Sequence, residues 1–233
     1  MQPERIAELL APFLAADTAA EQQVPHRAFG PIRNDNDLSS TLLDNISTYI
    51  DLLLHWNARV NLTAVRDPEE IVTRHFGESL FAARHLFPAT EHAGTAAPVS
   101  LADVGSGAGF PGIPIKLWAP QIALTLVESN HKKAAFLSEV SRALTLTGIN
   151  VLSVRAETIA AHFNVVSLRA VERFEQALPA AARLVNPSGR LALLIGSGQL
   201  GSARSGLPEF ALSEPLAIPL SRHRILVVAR GTA

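Results

Sequence analysis

The stretch LADVGSGAGFPGIP, residues 101–114, sets Gly105, Gly107, Gly109 and Gly112 behind a short apolar run, with Asp103 two residues before the first glycine. Glycines allow positive φ and let a ligand approach the main chain closely. At the C-terminal end of a strand in an open α/β sheet, such a loop marks the ligand crevice. Taken literally, Gly107–Gly112 spells G-x-G-x-x-G, the dinucleotide fingerprint. The register is wrong for it, because the glycine that closes the strand is Gly105. Counted from there, Phe110 holds the place of the third glycine, which a close helix–pyrophosphate contact does not favour. A tight turn without a ligand is the plain alternative. Glu128 argues against it. This acid ends the next apolar run, IALTLVE, 23 residues past Gly105, where a carboxylate can accept both hydroxyls of a ribose. A dinucleotide enzyme uses the same acid, so Glu128 separates ligand from no ligand, not one cofactor from another.

Asp103 and Phe110 separate the cofactors. D-x-G-x-G at the end of a first strand resembles motif I of class I S-adenosylmethionine-dependent methyltransferases. That cofactor carries an ammonium and a sulfonium in place of a pyrophosphate, so an acid near the turn attracts it and would repel a phosphate. Other chemistry is sparse. Cysteine is absent, which excludes disulfides, thiolate-bound zinc and a cysteine nucleophile, and fits a cytoplasmic protein. His55, His75 and His85 lack a metal-ligand pattern, and no metal is expected; Trp56 reads as core. The formal net charge is −1. A nucleic-acid partner would therefore be held by local groups such as Lys132, Lys133, Arg142 and Arg155, or Arg222, Arg224 and Arg230.

The elements that must position these residues follow from periodicity. Ile6, Leu9, Leu10, Phe13 and Leu14 form a helical stripe over residues 4–16, and the polar stretch 18–36 reads as a loop or linker. A second helix is predicted over 37–57. A third covers 68–87, with Asp67 as N-cap and Pro68 at the first helical position, and Pro88 ends it. From residue 99 short apolar runs at 99–104, 122–128, 150–154, 164–168, 190–195 and 225–229 alternate with helical stretches at 111–118, 131–147 and 172–185. That alternation argues for a parallel sheet with helices on both faces. Residues 207–220 hold three prolines and no good helix, so the last strands should form an antiparallel edge. No apolar run reaches the ~20 residues of a membrane span, and no signal peptide is read. The expectation is an α/β fold: an extra N-terminal helix and linker over 1–37, a helical cap over 38–98, and a Rossmann-like domain over 99–233.

The resemblance is narrower than a fold. The segments LHWNARVNLTAVRDPEEIVTRHF (54–76), DVGSGAGFPGIPIKLW (103–118), LVESNHKKAAFLSEV (126–140), VRAETI (154–159), VVSLRAV (165–171) and PSGRLALLIG (187–196) occur in fixed order. Together they resemble the bacterial 16S ribosomal RNA guanine-N7 methyltransferases, also called glucose-inhibited division protein B, over about residues 38–230. The resemblance implies a seven-stranded class I methyltransferase sheet under a helical cap, S-adenosylmethionine as cofactor, and a monomer acting on 16S rRNA or the small ribosomal subunit. It implies cofactor contacts at Gly105, Gly107, Phe110, Glu128, Ala156, Glu157 and Arg169, with Ala156 and Glu157 near the adenine and Arg169 positioning the acceptor. Guanine N7 is a lone pair with no proton to lose, so orientation and proximity suffice and no general base is needed. Three residues depart from the family pattern. Asn164 stands where aspartate is frequent, Ile195 precedes Gly196 where lysine is common, and Gly77 replaces a larger apolar residue. The first two remove charge near the expected active face. A dinucleotide-dependent oxidoreductase, a small-molecule methyltransferase and a non-catalytic cofactor-binding ribosome-assembly factor share the loop and stand as alternatives.

Overall fold

A computed structural model describes residues 1–15, 38–88, 98–171 and 173–232; the linker expected over 18–36 lies outside them. Helix α1 (Pro3–Leu14) buries Ile6, Leu10 and Phe13, the stripe the spacing predicts. Helix α2 (Ser40–Val60) is capped by Ser39, whose hydroxyl accepts the Leu42 amide, and ends at Asn61 in the left-handed region, φ 52°. Asp67 caps α3 (Pro68–Ile71) by accepting the Glu70 amide at 2.8 Å. The helix then widens into a π-helical turn, Val72–Gly77, before α4 (Glu78–Leu86). Such widened turns recur at functional sites, and this one carries His75 and Gly77.

The sheet is built from β1 (Ser100–Val104), β2 (Ala123–Val127), β3 (Ile149–Leu152), β4 (Phe163–Arg169) and β5 (Val185–Gly196), all parallel. Helices α5 (Gly112–Trp118), α6 (His131–Ala143) and α7 (Phe174–Arg183) connect them. Helix α8 (Leu200–Gly206) follows β5; its glycines and serines hid it from propensity. Two short strands, β6 (Phe210–Leu212) and β7 (Leu216–Ala217), both pair with β8 (Arg224–Gly231), which runs antiparallel beside β5. The order is β3-β2-β1-β4-β5-β8-β6, with β7 also on β8. The described sheet thus has eight strands where seven were expected, because the proline-rich approach to β8 pairs in two pieces. The antiparallel edge is present. The strand order reverses between β1 and β4, which puts the crevice at the C-terminal ends of those strands.

Alternation along the strands divides the core. Leu101, Ala192 and Leu194 face a cluster with α1, α2, α4, α5 and α6, while Ala102, Val104, Leu191, Leu193 and Ile195 face α7 and α8. The N-terminal helices therefore share one core with the sheet. Among the described residues no helix is long and apolar enough to cross a membrane.

Candidate active site

The glycine loop leaves β1 still tied to β2: the amides of Gly105 and Ser106 donate to Val127 O at 2.9 and 3.0 Å. Gly105, Gly107 and Gly109 have φ of 69°, 55° and 89°. At Gly109 a Cβ would strike the Tyr49 hydroxyl and meet Ile113 at 2.8 Å. That hydroxyl, buried at the centre of the cap, donates to Ala108 O at 2.5 Å, so α2 holds the loop down. At Gly107 a Cβ would meet only Gly105 O, at 3.8 Å. This is the open side of the loop. Glu128, 8% exposed, faces it: one carboxylate oxygen accepts the Gly107 amide at 2.9 Å and the other the Asn130 amide at 2.8 Å. A carboxylate retains lone pairs beyond those two bonds, so a ribose diol can still be accepted.

Asp103 behaves differently from its expected role. It is 1% exposed and accepts the Ser167 hydroxyl at 2.8 Å and the Gly112 amide at 3.2 Å. A Cβ at Gly112 would lie 2.8 Å from its carboxylate. The acid before the first glycine thus anchors α5 to β1 and β4 and does not present charge to a ligand. Burial pushes its carboxyl up to about 6, against the Ser167 and Gly112 bonds that lower it.

Arg169, the last residue of β4, turns toward the cap. Its guanidinium donates to Glu78 at 2.9 and 3.2 Å and to Arg74 O at 2.7 Å, and lies 3.3 Å from His75 Nδ1. Arg224, at the start of β8, reaches the same Glu78 oxygen at 3.2 Å. The Arg169 and Glu78 side chains are 9% and 6% exposed. Two cations share one anion, and the buried Arg224 Nε has no hydrogen-bond partner. Asp103 also lies close enough to act on Arg169 electrostatically, so the two cations face two acids beside the crevice. His75 Nε2 sits 2.8 Å from Thr63 Oγ1, and Asn57 clamps Thr63 by bonding its amide and carbonyl at 2.9 and 2.8 Å. Burial foremost, then Arg169, Arg74 and Arg224, lower the His75 pKa to about 3, so its ring is neutral.

Phe110 stacks between Tyr49 and His75, with ring centroids 5.3 and 4.8 Å away. Its side chain belongs to the cap, so only its main chain lines the loop. A required ring at this position also removes the dinucleotide register. Ala156 and Glu157 lie in a 3₁₀ turn after β3, on the side where Glu128 ends β2; the Glu157 carbonyl accepts from Arg183 at 2.7 Å. The structure thus brings Gly105, Gly107 and Glu128 together, with Ala156 and Glu157 following the adjacent strand, and places Arg169 across the crevice in the cap network.

Of the two departures expected near the active face, Asn164 is remote from it and Ile195 is buried beside it. Asn164 is at the start of β4, where its side chain accepts the Ser100 amide at 2.9 Å and the Ser100 hydroxyl at 2.8 Å. At about 3.3 Å per residue it stands roughly 16 Å from Arg169. Ile195 is 2% exposed in the core under α8. Asn164 therefore takes no charge from the site, while Ile195, one residue past the strand partner of Arg169, turns its side chain into the core. Glu78 was not singled out by sequence reasoning, and His75, Thr63 and Arg224 were not joined. Thr63 and His75 lie in the segment NLTAVRDPEEIVTRHF, but Glu78 follows it and Arg224 is 146 residues further along the chain, so no local spacing joins the four.

A family model described as rRNA small subunit methyltransferase G matches residues 42–214. The protein called Ribosomal RNA small subunit methyltransferase G of Chloroflexus aggregans is 37% identical over 193 residues, covering 77% of this chain and 78% of its own. Its namesake from Roseiflexus sp. (strain RS-1) is 37% identical over 209 residues, covering 84% and 86%. Magnesium protoporphyrin IX methyltransferase from Synechocystis PCC 6803, solved with bound SAM, superposes with a TM-score of 0.60 at 14% identity, over 81% of this chain and 98% of that one. The superposition shows the class I methyltransferase fold, and neither an oxidoreductase nor a small-molecule enzyme is what the sequence relatives are. Match, identity and coverage agree with the loop and cap geometry: the chain belongs to the GidB family, the rRNA small subunit methyltransferases G.

Proposed function

We propose that this chain methylates N7 of a guanine in 16S ribosomal RNA, with S-adenosylmethionine as methyl donor. The observation that carries the reading is the open face of Gly107 joined to Glu128 at the sheet's switch point. When bound, the cofactor supplies an electrophilic methyl group on a sulfonium. Gly105 and Gly107 leave the main chain bare for it, Glu128 accepts from the ribose, and the turn at Ala156 and Glu157 follows β3 toward the adenine edge. Phe110 acts through its neighbours, fixing the loop against Tyr49 and His75. Arg169 is a positioning residue: held by Glu78 and Arg74 O, it presents positive charge where an RNA phosphate must approach. Nothing in this arrangement has to take a proton, which suits a ring nitrogen that carries none.

The test is methyl transfer from labelled cofactor to 16S rRNA, naked and within small subunits, followed by nuclease digestion and identification of the modified base. The expected product is 7-methylguanosine at one site. Methylation of another atom, or of protein, would refute the reading. A preference between naked RNA and assembled subunits would identify the partner.

A further inference from the structure

The turn between β7 and β8 carries an apolar side chain where solvent should be. Leu220 is 72% exposed; the other exposed large hydrophobic residue among those described, Val154, is 39% exposed. Its backbone is left-handed, φ 58°, a conformation disfavoured for any residue with a Cβ. The turn is built to hold that shape. Ile218, 1% exposed, roots it in the core, and its amide donates to Arg224 O at 3.0 Å. The Ser221 amide donates to Ile218 O, and the Ser221 hydroxyl accepts the Arg224 amide at 3.1 Å. On the far side, the Ser197 amide donates to His223 O at 2.7 Å, tying the turn to the C-terminal end of β5. Arg224, which ends the turn, reaches the Glu78 carboxylate that holds Arg169. A rigid apolar tip therefore stands at the active edge of the sheet, with exposed Arg222 and His223 beside it.

We infer that this turn engages the RNA acceptor, with Leu220 wedged against unstacked bases and Arg222 facing a phosphate. The inference rests on the proposed rRNA substrate. In an A-form helix N7 lies in a deep, narrow groove that side chains do not enter, so the acceptor must be splayed from its neighbours. Apolar side chains inserted between bases are one way to hold such a gap open. Leu220 is pre-positioned for this by its turn, and Arg222 complements the backbone charge next to it.

Leu220→Gly removes the wedge and suits the left-handed backbone; Leu220→Phe keeps an apolar surface. Each would be compared with wild type for single-turnover methylation of 16S rRNA or small subunits, for S-adenosylhomocysteine affinity by calorimetry, and for Tm. The expected result is a loss of about tenfold or more in kcat/KM for RNA in Leu220→Gly, with cofactor affinity and Tm not reduced, and at least partial retention in Leu220→Phe. A wild-type rate in Leu220→Gly would overturn the wedge, as would equal losses in both variants. A change confined to self-association by sedimentation, with the RNA rate intact, would overturn it in favour of a protein contact. If the wild-type chain itself transfers no methyl group to RNA, the substrate reading fails and the wedge falls with it.

Discussion

His75 illustrates how position decides chemistry. Histidine ordinarily titrates near neutrality, yet here burial and three arginines hold its pKa near 3. Because the folded value lies below the unfolded one, its contribution is fully present above pH 6.5 and is lost as pH falls toward 3, on the order of 5 kcal/mol in total. Asp103 has the opposite sign. Its folded value is raised to about 6, so its burial penalty is absent below pH 4 and grows as pH rises to 6. The two slopes oppose each other between pH 4 and 6, and only His75 acts below that. In urea titrations, the stability difference between wild type and His75→Gln should shrink or reverse from pH 7 to pH 3.5; a constant difference would contradict the assignment. The neutral ring also bears on catalysis. From pH 6 to 9 the single-turnover rate should vary by less than about twofold, whereas a rate limited by a titrating base would rise with its ionisation. Glycine positions separate in the same way. Gly107→Ala should weaken cofactor binding because its Cβ enters the open face, and at φ 55° it should also cost ~1–2 kcal/mol of stability. Gly105→Val meets Val171 at 3.0 Å with a β-branched residue at φ 69° and should lower Tm as well as cofactor affinity. For Glu128→Ala, each lost charge-assisted bond is worth ~1.5–3 kcal/mol. Calorimetry should show roughly tenfold or greater loss of cofactor affinity; an unchanged Kd would remove Glu128 from the ribose.

Among the elements, α1 has the least expected role. It lies outside the family match, but its Phe13 ring occupies the space that a side chain at position 77 would need. A Cβ on Gly77 would come within 2.5 Å of that ring. Arg5 adds a bidentate pair with Glu69 at 2.8 Å, and the N-terminal ammonium donates to Ser47. We propose that α1 is part of the cap and braces the π-helical turn that holds His75 and, through Arg74 O, Arg169. The glycine in the place of a larger residue then has a cause within this chain. Phe13→Ala should cost ~3–5 kcal/mol, and Gly77→Leu ~1–3 kcal/mol or more from overpacking. The double variant should be more stable than the sum of the two losses, since each change makes room for the other. Strict additivity in denaturant titrations would show that the two side chains do not compete.

Across the whole molecule, cap and sheet meet through a buried Arg–Glu–Arg cluster joining α4, β4 and β8. Glu78 is bonded to a residue 91 positions away in the chain and to another 146 away. Removing this anion leaves two cations without their shared partner in a poorly solvated place, at a cost of ~3–5 kcal/mol. Glu78→Ala should therefore lower Tm and, in the folded fraction, slow RNA methylation while cofactor affinity is retained. Equal loss of cofactor binding would place Arg169 in the cofactor site and not at the acceptor. With a net charge of −1, affinity for RNA must come from local basic groups and not from the molecule's total.

The glycine loop, the Asp67 cap, the strand–helix alternation and Glu128 at the end of β2 were all legible in the sequence. Each depends on local rules: positive φ, capping geometry, a period of two or of 3.6. The family signature was equally legible, because it is a matter of order and spacing. What the tertiary structure decided is where long or charged side chains turn. Arg169 was placed at the right strand end, but its direction is set by Glu78, which only the packing of α4 against the sheet supplies. Asp103 was read as a ligand group; it is buried because Ser167 and Gly112 close over it from separate elements. Asn164 was assigned to the active face, and strand direction put it at the opposite end. Spacing tells which residues share an edge, but the side chains there answer to charges and cavities brought by distant segments, and those exist only once the chain has folded.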